Sequence, residues 1–256
     1  MKVSIITVVW NGGETIEDAI QSVAAQSHPD IEHIIIDGKS TDNTLGIIDK
    51  YKESIGFIVS EKDSGIYDAM NKGVKIATGD IVGMLNADDI LNDEHVIRDI
   101  VDTFEHNETI DACHGDLVYV GKLDVTKVKR YWKSREILPD KDKYNIPAHP
   151  TFYCRRNIYE QYGLYDTNYP LAADFELMYR FINKYKVLSK YIPRVLVRMR
   201  EGGATNKSIQ NIIKQNLEIL KAIYRQDMKI NIFKFIYNKL LNRISQYTSD
   251  EYNHNG

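Results

Sequence analysis

The feature that most constrains this chain is a repeated switch between two hydrophobic periods across residues 3–85. Val3–Trp10 is an unbroken apolar, β-rich run that ends at the Gly12-Gly13 pair. From Ile16 the apolar residues fall at 16, 19, 20, 23 and 24, the spacing of one helix face. The alternation then repeats. Ile31–Ile36 predicts a second strand ending in Asp37-Gly38, and Ser40-Thr41-Asp42-Asn43 signals a helix running to Tyr51. Ile55–Ser60 predicts a third strand, Ile66–Ala77 a helix stopped near Gly79, and Asp80–Leu85 a fourth strand closed by Asn86-Ala87-Asp88-Asp89. Strands apolar on both faces must be covered on both faces, so the pattern specifies an α/β fold with a mostly parallel sheet flanked by helices. Ligands of such sheets bind beyond the carboxyl ends of the strands. The polar residues that close each strand are therefore the candidate site.

After Asp111 the pattern loosens. Ala112–Val120 predicts a strand and Gly121–Ile146 is polar and Lys-rich. Tyr153–Tyr162 and Ala173–Tyr185 read as helices, and Lys186–Met199 as two short strands around Pro193. Asn206–Arg225 and Asn231–Ile244 read as terminal helices. No internal repeat or low-complexity tract interrupts this order.

Composition excludes several classes. Hydrophobic residues at 43% and charged residues at 27% of 256 suit a folded globular chain, not a disordered one. The net charge of −3 conceals an asymmetry, because residues 184–243 carry 14 Lys/Arg against three Asp/Glu. Such a segment favours phosphates or an anionic surface. Phe233, Ile236, Tyr237, Leu240, Leu241 and Ile244 fall on one stripe of the last helix, with Lys234, Asn238 and Asn242 opposite. That suits the headgroup layer of an anionic membrane, and equally packing against the domain or a second copy in a homo-oligomer. Nucleic acid is disfavoured, since the basic segment lacks the aromatic interleaving such binding uses. No apolar run approaches the ~18–20 residues of a membrane span. The N-terminal run is too short for a signal-peptide core and meets a turn in place of a cleavage site. Cys113 and Cys154 have no metal-type spacing and read as reduced thiols of a cytoplasmic protein.

Each candidate has two readings on local grounds. Asp88 and Asp89 at the end of a strand suit a hard divalent cation held against a diphosphate, or a helix start. Asp37 suits a hydrogen bond to a base or ribose, or an Asp-Gly turn. Trp10 suits stacking on a base, or core packing. Asp174 begins a helix, as a cap or as a general base in a cleft. His149 suits contact with an acceptor or diphosphate, or a satisfied loop. Arg200–Thr205, with two glycines, suits a closing lid or a plain connector. A dinucleotide-binding dehydrogenase is disfavoured because Asn11-Gly12-Gly13-Glu14 lacks the G-x-G-x-x-G spacing.

Taken in order, the segments resemble glycosyltransferase family 2, inverting enzymes of GT-A fold. Val3–Asn11 looks like that family's first strand and nucleotide loop, and Ser22–Ser27 like the helix end that follows. Asp37–Thr44 resembles its acidic uridine turn. Asp63–Gly73 and Ala77–Asp80 resemble the lead into its metal motif, and Asn86-Ala87-Asp88 stands at the Asp-x-Asp position. Ala173-Asp174, with Leu177 and Arg180, stands at its acidic catalytic motif.

The resemblance implies roles. Trp10 and Asp37 would hold the base, with Val8 and Val9 contributing backbone or packing. Asn71 and Lys72 would lie near the donor, with Asn86 and Ala87 at its ribose. Asp88 would ligate Mn²⁺ or Mg²⁺, and Asp174 would deprotonate the acceptor. The implied donor is a nucleotide-sugar, UDP-linked. The implied acceptor is a saccharide on polyprenyl diphosphate, in bacterial O-antigen, capsule or exopolysaccharide synthesis, which would place the protein on the inner face of the cell membrane. Residues 1–205 would form the catalytic domain, its nucleotide half about 1–110 and its acceptor half about 111–205, with 206–256 a basic helical extension. Asn86 departs from the family's first Asp and removes one charge from the metal motif. Two other functions compete: a sugar-1-phosphate nucleotidyltransferase, and a non-catalytic sugar-nucleotide binder.

Overall fold

The computed structural model describes residues 1–138, 146–202 and 208–226, together with 237, 241 and 246. Four parallel strands form its first half: β1 (Val3–Val9), β2 (Ile31–Asp37), β3 (Phe57–Ser60) and β4 (Ile81–Met84). Helices α1 (Ile16–Ala24), α2 (Thr44–Lys50) and α3 (Ile66–Ile76) connect them. The strands pair in the order β3-β2-β1-β4. Every residue of β1 is buried, as a doubly covered central strand requires. The third strand is an edge, and Phe57 and Ile58 are part-exposed there.

Beyond β4 the sheet changes direction. Strand β5 (Asp89–Leu91) leads to helix α4 (Val96–Glu105), then to β6 (Ala112–Val120) and β7 (Val128–Trp132). A 3₁₀ turn at His149–Thr151 leads into β8 (Tyr153–Arg155) and helix α5 (Arg156–Tyr162). Helix α6 (Ala173–Tyr179), a π turn at Arg180–Lys184, strand β9 (Ser189–Arg200) and helix α7 (Ile209–Arg225) complete the described elements. Strand β8 inserts antiparallel between β4 and β6, and β9 runs parallel to β6 and antiparallel to β5. The sheet is thus mixed, parallel in its first half.

Several sequence expectations need correction. Tyr153–Arg155 is a strand and not the first turn of a helix, because its buried residues pair with both β4 and β6. The polar stretch after Gly121 contains β7, a half-buried strand whose charged residues mask its period. Lys186–Met199 holds one strand, not two. Its register against β6 shifts between His114 and Asp116, and exposed Pro193 sits in that irregularity, where a missing N–H costs no ladder bond. Cys113 and Cys154 are both buried and free. The helix expected at Asn231–Ile244, apart from residues 237 and 241, and residues 203–205 of the lid expected at Arg200–Thr205 lie outside the described residues. Among the described residues no helix is long and apolar enough to cross a membrane.

Helix α7 packs onto α6: Ile219 and Ile223 share a buried cluster with Ala172 and Tyr179. The Glu218 carboxylate accepts from the Leu171 N–H at 2.8 Å, and Gln226 donates to Glu176 at 2.8 Å. The loop entering α6 and the helix itself are therefore braced from outside.

The junction between the two halves is tight. Gly83 of β4 faces Tyr153 of β8, and a Cβ on Gly83 would lie 2.1 Å from the buried Tyr153 ring. Gly83→Ala is expected to lower stability by roughly 1–3 kcal/mol, the usual cost of overpacking, seen as a lower denaturant midpoint with an unchanged slope.

Candidate active site

The ends of β1 and β2 form a laced pair of loops. Asn11 takes a left-handed backbone (φ 51°), which its short amide side chain tolerates, and its Oδ1 accepts from the Thr41 N–H at 2.8 Å. Gly12 N–H donates to Thr44 Oγ1 and Gly13 N–H to Asp42. Asp37 is fully buried, and its carboxylate accepts from the Ser40 N–H at 3.1 Å and the Ser60 hydroxyl at 2.6 Å. It fixes the turn after β2, and a base contact through this side chain would need that turn to open. Trp10 stands 71% exposed beside Gly38, a flat apolar face at the strand tips. Val8 and Val9 are buried beneath it, and the Val9 carbonyl accepts from Gly38 N–H. The Asp63 carboxylate also lies against Gly38.

The turn after β4 gathers oxygen atoms. Asn86 Nδ2 donates to Asp89 Oδ2 at 3.0 Å, and the Asp89 N–H donates to the Asn86 carbonyl. Burial, then the neighbouring Asp88 charge, pushes the Asp89 carboxyl well above the usual carboxylate range. Arg200 supports this turn from below, donating to the Asp88 carbonyl at 2.9 Å and pairing with Asp18. Ala87 is buried against the Gly12 turn.

A divalent cation suits this turn. Asn86 Oδ1 and Asp89 Oδ1 are buried with no hydrogen-bond partner, and they flank Asp88. An oxygen-only set matches Mg²⁺ or Mn²⁺. Among the described residues no group of three His, Cys, Asp or Glu gathers to hold a metal. Such a cation would rest on one or two carboxylates and on its substrate's phosphates, the usual arrangement for Mg²⁺.

Asp174 lies in the first turn of α6 and meets this turn through one side chain. His149 Nδ1 is 3.2 Å from Asp174 Oδ2, and its Nε2 is 3.4 Å from Asn86 Nδ2. On the other side the Tyr67 hydroxyl donates to Asp174 Oδ1 at 3.0 Å. Burial, then the Asp174 charge, pushes the Tyr67 phenol well above its ordinary value, so it remains a donor. The β4 turn, the 3₁₀ turn and the helix start therefore converge on one cluster.

Asn71 and Lys72 bond to neighbouring parts of the chain. The Asn71 amide bonds the Tyr165 backbone in both directions, at 2.9 Å each, and Lys72 pairs with Glu61 and the Lys62 carbonyl. Both side chains are committed to the protein. A cavity of about 390 Å³ lined by Val74, Lys75, Arg156 and Glu160 lies at the C-terminal end of α3, and none of the cluster residues lines it.

A family model described as "Glycosyl transferase family 2" matches residues 4–163, more than half of the chain and the whole span from β1 to α5. The chain belongs to glycosyl transferase family 2. It is a glycosyltransferase, as its relatives are named. A "PGL/p-HBAD biosynthesis glycosyltransferase" of Mycobacterium bovis is 27% identical over 216 residues, covering 80% of this chain and 79% of that one. An "uncharacterized glycosyltransferase" of Haemophilus influenzae is 27% identical over 258 residues, covering 95% and 78%. Among solved structures, S. aureus TarS 1–349 in complex with UDP superposes with a TM-score of 0.66 at 19% identity, covering 90% of this chain and 67% of that one. The mannosyltransferase PcManGT of Pyrobaculum calidifontis, in complex with GDP-Man and Mn²⁺, gives 0.66 at 17%, covering 90% and 65%. The fold is the GT-A fold of these family neighbours.

Sequence reasoning gave Tyr67, Asp63 and Arg200 no role of their own. Tyr67 sits on the apolar stripe of α3 with Met70 and Val74, which reads as plain core. Its hydroxyl was the available signal, since a buried Tyr needs a partner. Asn71→Ala strands the N–H and carbonyl of Tyr165, and a loss of about 1–3 kcal/mol is expected, read by thermal unfolding.

Proposed function

We propose that this glycosyltransferase moves a sugar from a UDP-sugar to a hydroxyl of a lipid-diphosphate-linked saccharide, with inversion and with a divalent cation at Asp88. The observation that carries this reading is the meeting of the β4 acidic turn and Asp174 at His149. It joins a phosphate-and-metal turn to a carboxylate able to accept a proton. In this reading residues 1–110 serve the donor and 111–205 the acceptor.

The acceptor oxygen forms its bond to the anomeric carbon as the bond to the diphosphate breaks, and the electron pair leaves with the phosphate. Asp174 takes the hydroxyl proton as attack proceeds. A single displacement converts an α-linked donor to a β-glycoside. Trp10 supplies a face for the base, and Asp37 with Ser40 and Ser60 keeps the adjoining turn in shape. Asp88, with the free oxygens of Asn86 and Asp89, would hold the cation. When bound, that cation neutralises charge developing on the leaving diphosphate.

The lipid side of the reading rests on α7. Its outward surface carries exposed Ile213, Leu217 and Tyr224, interleaved with exposed Lys214, Lys221 and Arg225. A basic, apolar surface of this kind suits the headgroup layer of an anionic membrane. Replacing Ile213, Leu217 and Tyr224 together by Ser is expected to reduce flotation with phosphatidylglycerol vesicles while leaving the thermal midpoint in place. Unchanged flotation would remove α7 from the contact.

A panel of UDP-sugars with Mn²⁺ and a lipid-diphosphate saccharide is expected to release UDP, with EDTA abolishing the release. Asp174→Asn is expected to slow turnover about 10²–10⁴-fold. Wild-type turnover by that variant would remove Asp174 from the chemistry, and pyrophosphate as product would identify a nucleotidyltransferase instead.

A further inference from the structure

Asp174 is held from both sides by residues that have no assigned part in the reaction. Tyr67 donates to one carboxylate oxygen at 3.0 Å, and His149 Nδ1 lies 3.2 Å from the other. A carboxylate oxygen has two lone-pair directions, so one donor on each still leaves a site for an acceptor hydroxyl. Two donors on two oxygens also fix the plane of the group, which a single contact does not.

Each donor is itself held. The Tyr67 ring stacks on Tyr165 with centroids 5.7 Å apart, and the Tyr165 backbone is pinned in both directions by Asn71. His149 stands at the start of a 3₁₀ turn closed by the Thr151 hydroxyl, which donates to the Ala148 carbonyl at 2.8 Å. The Asn86 amide has two hydrogens. One reaches Asp89 and the other faces His149 Nε2, so Nε2 accepts and the ring proton lies on Nδ1, toward Asp174. Asp at position 86 would present only acceptors to Nε2 and draw the proton to that side. Asn86 matches this use of His149.

We propose that Tyr67 and His149 are a pair of positioning residues that clamp the Asp174 carboxylate, with Asn86 setting which imidazole nitrogen carries the proton. The proposal rests on Asp174 being the base. It accounts for Asn71 as part of the clamp's support, and for Asn86 in place of Asp.

The test uses the full chain with Mn²⁺ and UDP-GlcNAc, UDP-glucose or UDP-galactose, following slow donor hydrolysis with water as acceptor. In His149→Asn the amide nitrogen falls where Nδ1 was, and in His149→Gln where Nε2 was. Tyr67→Phe, His149→Gln and His149→Ala are each expected to lower kcat about 10–100-fold, the scale of a misplaced reacting group, with donor KM little changed. His149→Asn is expected to recover most of the loss. In an Asp174→Asn background the same substitutions are expected to cost nothing further, since the group they orient is gone. His149→Asn as slow as His149→Ala would overturn the clamp, as would losses that multiply with Asp174→Asn. Wild-type hydrolysis by Asp174→Asn alone is a separate result, and it would sink the underlying base assignment whatever the clamp variants do.

Discussion

The pairing of β4 with β8 decides which residues meet at the proposed active site. Strand β4 runs parallel to β1, so it ends at the same edge as the loops that carry Trp10 and Asp37. Strand β8 runs the opposite way with Gly83 facing Tyr153, so the residues before β8 lie beside the residues after β4. Continuing that register by three residues brings Asn86 level with the His149–Pro150 turn. The bond between them is thus a consequence of sheet geometry, and it needs no side chain at position 83. A Cβ there would meet the Tyr153 ring at 2.1 Å and force the two strands apart.

Charge at this edge is managed by substitution and burial. Asp37 is fully buried, and the Ser60 hydroxyl and the Ser40 N–H satisfy its carboxylate. Asp88 and Asp89 are adjacent, and burying the second beside the charge of the first disfavours its ionised form. A third carboxylate at position 86 would add to that repulsion. The amide there spends its two hydrogens on Asp89 and His149 and leaves an oxygen free. Arg200 contributes positive charge from behind, through the Asp88 carbonyl, without occupying the cleft.

What the sequence made legible follows from which contacts are local. The first four strands and three helices follow from apolar periods, and the strand-end rule led to Trp10, Asp37 and Asp88. Strands β5 and β7 stayed hidden because one is three residues long and the other is half buried among charges. Strand β8 was hidden because it merges into α5 with no turn between them. The clamp was illegible for a different reason. Tyr67 and Asp174 are 107 residues apart, and nothing local marks a phenol on a core stripe as a donor to a distant carboxylate. Asn71 shows the converse case: its family position suggested a ligand contact, while its amide is taken up by the backbone of Tyr165. Resemblance carried the order of the motifs, and only the fold could assign each side chain its partner.

Helix α7 ties α6 to the outer surface of the protein. Its inner face buries Ile219 and Ile223 against α6, the helix that carries Asp174, and Glu218 caps the loop leading into it. Its outer face is basic and apolar. If a lipid-borne acceptor is presented at an anionic surface, as proposed, α7 would meet that surface while bracing the helix that carries the proposed base. Displacing α7 would then disturb two things at once, the orientation of the domain on the membrane and the seat of α6. Because Asp174 lies in the first turn of α6, a shift of that helix moves its carboxylate against the fixed donors of Tyr67 and His149. The clamp tolerates little such movement, since both bonds are already near 3 Å and lengthening either frees the carboxylate to rotate.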